Sequence, residues 1–130
     1  VTGHGLGGVV ALHAAAMAGW VTGVATWDCL WSYLSLAGAE RYPWPADAFL
    51  PGILKYYDLP ELAGSLSCPV RILNPIAGNG DRLGDKELLR WTAGASAGVR
   101  ALNCDADAMA REIRNLARSG RARDYGANEN

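Results

Sequence analysis

Short apolar runs alternate along the chain with segments whose apolar residues repeat at helical spacing. Val1-Thr2-Gly3-His4 reads as the end of a strand. Residues 6–19 predict a helix in which Ala11, Leu12, Ala14, Ala15, Ala16 and Met17 leave almost no polar face, the pattern of a helix buried against a sheet. Gly19 is its expected C-cap. Residues 21–27 form an apolar run typical of a buried parallel strand. Residues 30–41 predict a helix, Pro43 and Pro45 interrupt it, and 46–57 predict a further helix or turns broken at Pro51-Gly52. Residues 56–62 read as a turn into a short helix. Residues 69–76 predict the next strand and 77–83 a glycine-rich loop. A helix is expected over 86–95, capped by Asp85 and carrying Leu88, Leu89 and Trp91. Residues 99–104 predict the last strand. Asp105 or Asp107 caps a final helix to about residue 119, with Met109, Ile113, Leu116 and Ala117 as its apolar stripe. The polar tail from Ser119 is expected to fray.

This alternation is an α/β order: a parallel sheet with flanking helices and right-handed crossovers. At 130 residues the chain suits one small domain. Residues 1–118 form it, 30–62 make a lid-like helical excursion, and 119–130 are the tail. Half of the residues are hydrophobic, which places the chain among globular proteins. A net charge of −1 argues against nucleic acid or acidic membranes as partners. Arg111, Arg114, Arg118, Arg121 and Arg123 fit the solvated face and end of a helix, where positive charge suits the dipole. No apolar run approaches the roughly 18 residues of a membrane span. The three cysteines, Cys29, Cys68 and Cys104, are odd in number and lack CxxC spacing, so they suit neither a disulfide framework nor a metal site. Each borders an apolar run, where a buried, inert thiol is the common outcome. The chain opens on Val-Thr-Gly-His without an initiator methionine and reads as the C-terminal piece of a longer protein, so its compartment is not legible.

The candidate chemistry lies at the start. Gly3-His4-Gly5-Leu6-Gly7-Gly8 makes a glycine-packed turn from strand to helix. Gly3, Gly7 and Gly8 allow strand and helix to approach closely, and Gly5 suits the strained tip. The helix N-terminus points free N–H groups at that tip, which favours developing negative charge. His4 precedes the tip and His13 lies mid-helix. Either can act as a base, although a satisfied structural histidine is the commoner role. Asp28 ends the second strand, where open α/β sheets place functional groups. It either orients a catalytic histidine or caps the next helix, the cap being the commoner use. Trp31, Tyr33, Tyr42 and Trp44 either line a cleft or pack the excursion, packing being the commoner use. Cys29 or Cys104 as a nucleophile is the poorest of these options, because neither sits in such a turn with a histidine nearby.

Three stretches carry a resemblance: the turn at residues 3–8; Leu50 through Leu62; and Cys68-Pro69-Val70-Arg71-Ile72-Leu73-Asn74-Pro75-Ile76. Together they resemble the C-terminal half of an α/β-hydrolase, closest to the bacterial acetylxylan-esterase-like and prolyl-oligopeptidase-like members. The turn is similar to their Gly-x-Ser-x-Gly nucleophile elbow. The resemblance implies a triad at three positions, and all three depart from it. Gly5 stands at the nucleophile position. The acid expected after Asn74-Pro75 is displaced, with Asp81 the nearest carboxylate. No histidine follows the last strand, where Asn103-Cys104-Asp105 stands. A serine hydrolase needs nucleophile, base and orienting acid within hydrogen-bond reach. The expectation is therefore a hydrolase-related module without turnover of its own, whose candidate positions are Gly5, Asp81, Asp28 and His4. The alternative is an ester hydrolase completed by residues outside this sequence. No cofactor is implied. The implied ligand is a small-molecule or carbohydrate ester, bound in a cleft near Gly5, Asp28 and residues 77–81. An exposed sheet edge, lacking earlier strands, favours self-association.

Overall fold

A computed structural model of the chain describes residues 1–126, with side chains as far as Gly120. Its centre is a four-stranded parallel sheet in the order β1-β2-β3-β4: β1 Thr2–His4, β2 Val24–Trp27, β3 Val70–Leu73 and β4 Val99–Leu102. Helices flank it: α1 Leu6–Met17, α2 Tyr33–Ala37, α3 Leu59–Ser65, α4 Asp85–Thr92 and α5 Ala106–Gly126. The protein is an α/β fold, as the alternation of elements predicts.

Side chains alternate across a strand, and the two sheet faces are built differently. Val24, Val70, Ile72 and Val99 point to one face and share a buried core with Val9, Ala11, Leu12 and Ala15 of α1. Arg71 and Arg100 point to the other. There Arg71 Nε meets Glu112 Oε2 of α5 at 3.2 Å, and Arg100 meets Glu112 Oε1 at 3.4 Å. Leu116 of α5 is buried against Gly23, where a side chain would stand 3.0 Å away. The last helix is thus held by one carboxylate between two arginines as well as by apolar contact.

Several boundaries differ from the sequence reading. The C-cap of α1 is Ala18, whose N–H donates to the Ala14 carbonyl, so Gly19 lies beyond the cap. The second strand starts at Val24 rather than at 21. α2 is five residues long, because Ser32 caps it and the backbone leaves the helix at Gly38. Ser32, rather than Asp28, accepts the Ser35 N–H. Residues 46–57 hold two single 3-10 turns, Ala46–Ala48 and Ile53–Lys55. Gly84 is the N-cap of α4, and Asp85 accepts instead from Asn103 Nδ2 at 2.7 Å. Between the two candidates for the last helix, Asp105 is the cap, accepting from Ala108 N–H at 2.8 Å. Helix α5 continues through Gly126, so the tail expected to fray from Ser119 is helical over that length, and residues 127–130 lie outside the described residues.

The excursion between β2 and β3 is anchored by Asp58. Its Oδ1 accepts from Tyr33 N–H at 2.6 Å and Leu59 N–H at 2.7 Å, and its Oδ2 accepts from Ser32 Oγ–H at 2.5 Å. Glu61 returns a bond to the Asp58 N–H, completing a capping box at the start of α3. One carboxylate therefore starts two helices. The aromatic residues pack rather than converge: Trp31 meets Trp91 edge-on at 4.8 Å, Tyr42 meets Phe49 at 4.7 Å, and Trp44 Nε1–H donates to the Ala77 carbonyl.

Three stability outcomes are expected from this packing. A Cβ on Gly3 would stand 2.1 Å from the Gly7 carbonyl oxygen, whereas one on Gly7 meets nothing within 4 Å. Urea unfolding is expected to show Gly3→Ala destabilised by about 3 kcal/mol or more, from overlap with rigid backbone. Gly7→Ala is expected within about 1 kcal/mol of the parent and on the stabilising side, since alanine favours the helix. Asp58→Ala removes a cap and two further charge-assisted bonds, and is expected to cost about 2–3 kcal/mol in the same measurement.

Candidate functional site

The carboxyl ends of the strands form one row. Gly5 N–H donates to the Trp27 carbonyl, Asp28 N–H to Leu73 and Asn74 N–H to Leu102, at 3.0, 3.1 and 2.9 Å. Each donor is the first residue past its strand, and each has a positive φ of 55°, 48° and 51°. The chain therefore leaves three neighbouring strands through a residue of positive φ. Glycine, aspartate and asparagine are the residues that tolerate it.

Gly5 is the only residue between β1 and α1. Its φ of 55° and ψ of −126° lie outside the regions open to ordinary residues. A Cβ built on it meets nothing within 4 Å. A side chain at this position would therefore be strained but unobstructed, and would stand free at the end of the sheet. Gly3 supplies the close approach beneath it. Gly8 lies against Cys29 and Thr26, where a Cβ would be 2.7 Å from the Cys29 sulfur. Gly7, expected to be small for the same reason, faces open space. The turn is a tight strand-to-helix elbow that carries no nucleophile.

His4 and Asp28 meet beside this turn. His4 Nε2 lies 3.4 Å from Asp28 Oδ2, and the imidazole rests on the Trp27 ring with centroids 5.9 Å apart. Arg82 takes the other oxygen of Asp28 at 3.2 Å. Asp28 is thus one carboxylate shared by an imidazole and a guanidinium, and its side chain caps no helix. The His4 side chain is 64% exposed and that of Asp28 36%, so the pair lies at the boundary between protein and water. Arg82 carries no local signal of this role. It lies in the glycine-rich loop after β3, and only the sheet order brings that loop across to β2.

Asp81 does not join this group. Its Oδ2 accepts from Asn79 Nδ2 at 2.8 Å, and its own N–H donates to Asn79 Oδ1. The turn itself is closed by the Asp81 carbonyl, which accepts from Ala77 N–H at 2.7 Å. His13 is structural: Nδ1 donates to the Val9 carbonyl at 2.8 Å, so Nε2 is the acceptor for the Tyr57 hydroxyl at 2.8 Å. Asn74 is a second residue whose role the local sequence does not give. Its side chain donates to the Cys104 carbonyl and accepts from the Cys104 N–H, bolting the end of β3 to the end of β4. Asn-Pro after an apolar run is the signal that marks such a turn.

The cysteines are poor nucleophiles. Burial pushes the Cys29 thiol up to about 12, the neighbouring Thr26 hydroxyl opposing it only partly. Burial also raises Cys104, reinforced by the carboxylates of Asp105 and Glu112. Cys68 is buried. Among the described residues, no three His, Cys, Asp or Glu side chains are grouped to hold a metal ion. No helix among them is long and apolar enough to cross a membrane.

Two apolar concavities lie beside the excursion. A cavity of about 540 Å³ lies in the excursion, between Tyr33 and Leu36 on one side and the 48–55 segment on the other. A second, of about 440 Å³, runs between Leu6, Val9 and His13 of α1 and the same segment. Neither is lined by Gly5, Asp28 or residues 77–81. No protein-family model, curated protein or solved structure matches the chain.

The thiol chemistry is open to direct measurement. An aryl disulfide reagent at pH 8 is expected to label Cys104 alone in the folded chain, and more slowly than free cysteine, because a raised thiol holds less thiolate. That deficit should close as the pH rises above the ordinary thiol range. All three cysteines should react at once in denaturant. Rapid labelling of Cys29 in the folded chain would contradict its burial.

Proposed function

We propose that this chain is a non-catalytic module related to the second half of an α/β-hydrolase of the carboxylic-ester class. It keeps the nucleophile elbow as a structural turn and has lost the nucleophile. The observation that carries this reading is Gly5, with a backbone at φ 55° and ψ −126° and an unobstructed side-chain direction. Strain of this kind is tolerated where a side chain has to be held out for chemistry. Here the backbone holds that posture with no side chain to present.

The surrounding geometry supports the same reading. The turn joins a parallel strand to a helix, and the following strands add in sequence order. The base and acid of a triad are not assembled: His13 is committed to Tyr57, Asp81 to Asn79, and Asn103 occupies the first position after β4. Any ligand belongs to the class of small-molecule or carbohydrate esters.

One observation favours a second reading, an ester hydrolase with displaced catalytic groups. His4 and Asp28 form an imidazole–carboxylate pair next to the elbow. A water activated by His4 would be its nucleophile. Arg82 weighs against it by drawing on the same carboxylate.

Steady-state hydrolysis of acetyl and butyryl aryl esters, with a serine-directed phosphonate probe, separates the two. The chain is expected to show no saturable turnover above background and no covalent labelling. Gly5→Ser is expected to restore little, because a hydroxyl without an aligned base is weakly activated and triad members act as a unit. It should also lower stability by about 1–3 kcal/mol, from the conformation that serine must adopt. Saturable turnover in the parent chain, lost in His4→Ala or Asp28→Asn, would establish the second reading instead.

A further inference from the structure

The hydroxyl of Tyr33 is buried with nothing to bond. The residue is 4% exposed, and among the described residues its oxygen has no hydrogen-bond partner. A buried tyrosine usually finds a partner, and an unpaired polar group inside a protein calls for an explanation. Tyr33 also stands in the wall of both apolar cavities, which share Ala48 and Leu50 as well. Burial, and after it the neighbouring Tyr57, Cys29 and Asp58, push the hydroxyl up to about 12, so it keeps its proton at ordinary pH. It is a donor without an acceptor, in the wall of an apolar space.

We propose that the larger cavity binds an uncharged, mostly apolar small molecule whose carbonyl oxygen accepts from the Tyr33 hydroxyl. Size sets the kind of occupant. About 540 Å³ lies within the roughly 300–1,000 Å³ of small-molecule pockets. The lining sets its body, because Leu36, Phe49, Ile53 and Leu54 offer apolar surface. Lys55 is the one charged residue in that wall and is itself exposed, so an ionic ligand would gain only a screened contact. Tyr33 sets the polar group. An ordered water needs about two to four polar partners, and the side chains of this wall supply only Tyr33 and the exposed Lys55. An organic acceptor carried on an apolar body needs only the hydroxyl. The carbonyl is the group that an ester shares with a ketone, so the ester class proposed above narrows to its apolar members. The site stands on the cavity alone, since neither Gly5 nor Asp28 lines it. A ketone therefore probes it without any turnover, and its failure to bind would leave the reading of the elbow untouched.

The test is a titration of the 130-residue chain with benzophenone and with diphenylmethane, the same two rings without the oxygen, followed by methyl NMR. Benzophenone is expected to saturate with a Kd below about 1 mM, as suits a ligand of its size. It should move the methyl signals of Leu36, Ala48 and Ile53 and leave those of Ile113 and Leu116 in place. Tyr33→Phe is expected to weaken benzophenone about three- to tenfold, the worth of one hydrogen bond, and to leave diphenylmethane within about twofold. Comparing each probe with itself across the variant cancels their different affinities for water. The same variant should unfold at an equal or higher temperature than the parent, because it removes an unpaired polar group from the interior. Ala37→Phe fills part of the cavity from an exposed position in its wall, and is expected to weaken both probes about fivefold or more. Leu34→Ala, exposed on the same helix and outside both walls, should change neither. Far-ultraviolet circular dichroism verifies the fold of each variant. Absence of saturable binding, or shifts confined to residues outside the cavity, would overturn the proposal. So would a Tyr33→Phe variant that weakens both probes equally or neither. A Tyr33→Phe chain that unfolds at a lower temperature than the parent would give the hydroxyl a partner inside the protein and overturn it too.

Discussion

The fold depends on how closely β1 and α1 approach at Gly3. A Cβ there would overlap the backbone of Gly7 and Gly8, so strand and helix touch main chain to main chain. That contact leaves room for a single connecting residue, which forces Gly5 into its positive-φ conformation. It also sets the path of α1 across the sheet. Gly8 then comes down on Cys29 and Thr26 just past and within β2, and Leu12 and Ala15 reach the core shared with Val24, Val70 and Ile72. Adding one carbon at Gly3 would open the turn, tilt the helix and separate these layers. Interiors packed near crystal density transmit such a shift rather than absorb it.

The strand ends show how the sheet tolerates three residues of positive φ in a row. Gly5 adopts its turn without a Cβ to clash. Asp28 and Asn74 carry side chains, and their cost is offset by bonds those side chains make across the row. Asn74 bridges to the backbone of Cys104, and Asp28 is held between His4 and Arg82. The first arrangement is largely enclosed and the second faces water. This contrast matters for function. An enclosed imidazole–carboxylate pair would gain strength from low dielectric, whereas the exposed His4–Asp28 contact is screened and adaptable. The cluster has the composition of a catalytic dyad without its enclosure.

The excursion between β2 and β3 is the part that departs most from regular structure, yet it is well anchored. Asp58 starts α2 and α3 together, His13 of α1 reaches Tyr57, and Ser35 accepts from the Gly78 N–H of the loop beyond β3. These ties hold the 46–57 segment away from the sheet far enough to leave the apolar cavities beside Tyr33. Tyr33 lines both and is itself buried, with a hydroxyl that finds no partner in the protein. Burial, together with the negative charge of its neighbours, pushes that hydroxyl up to about 12, so it is neutral at ordinary pH.

By itself the sequence determined the class of the fold and the elbow. Apolar runs of strand length separated by helix-period segments admit few arrangements other than a parallel sheet with flanking helices. Gly3, Gly7 and Gly8 point to a close strand-to-helix approach and Gly5 to a strained tip; the close contacts are made at Gly3 and Gly8, whereas Gly7 faces open space. That Gly5 brings no side chain to the tip of that turn was equally legible, since a residue type needs no coordinates. What the sequence did not reveal depends on long-range geometry. Asp28 and Asp85 looked like caps because acidic residues before helices usually are. The tertiary structure gave those caps to Ser32 and Gly84, and turned both carboxylates toward partners 54 and 18 residues away. Arg82, Asn74 and Asp58 act across such separations, and no local pattern encodes which distant backbone they will meet. Periodicity reports which face of an element is apolar. Only the packed sheet decides which loops its strand ends bring together, because that depends on strand order and register rather than on any one segment.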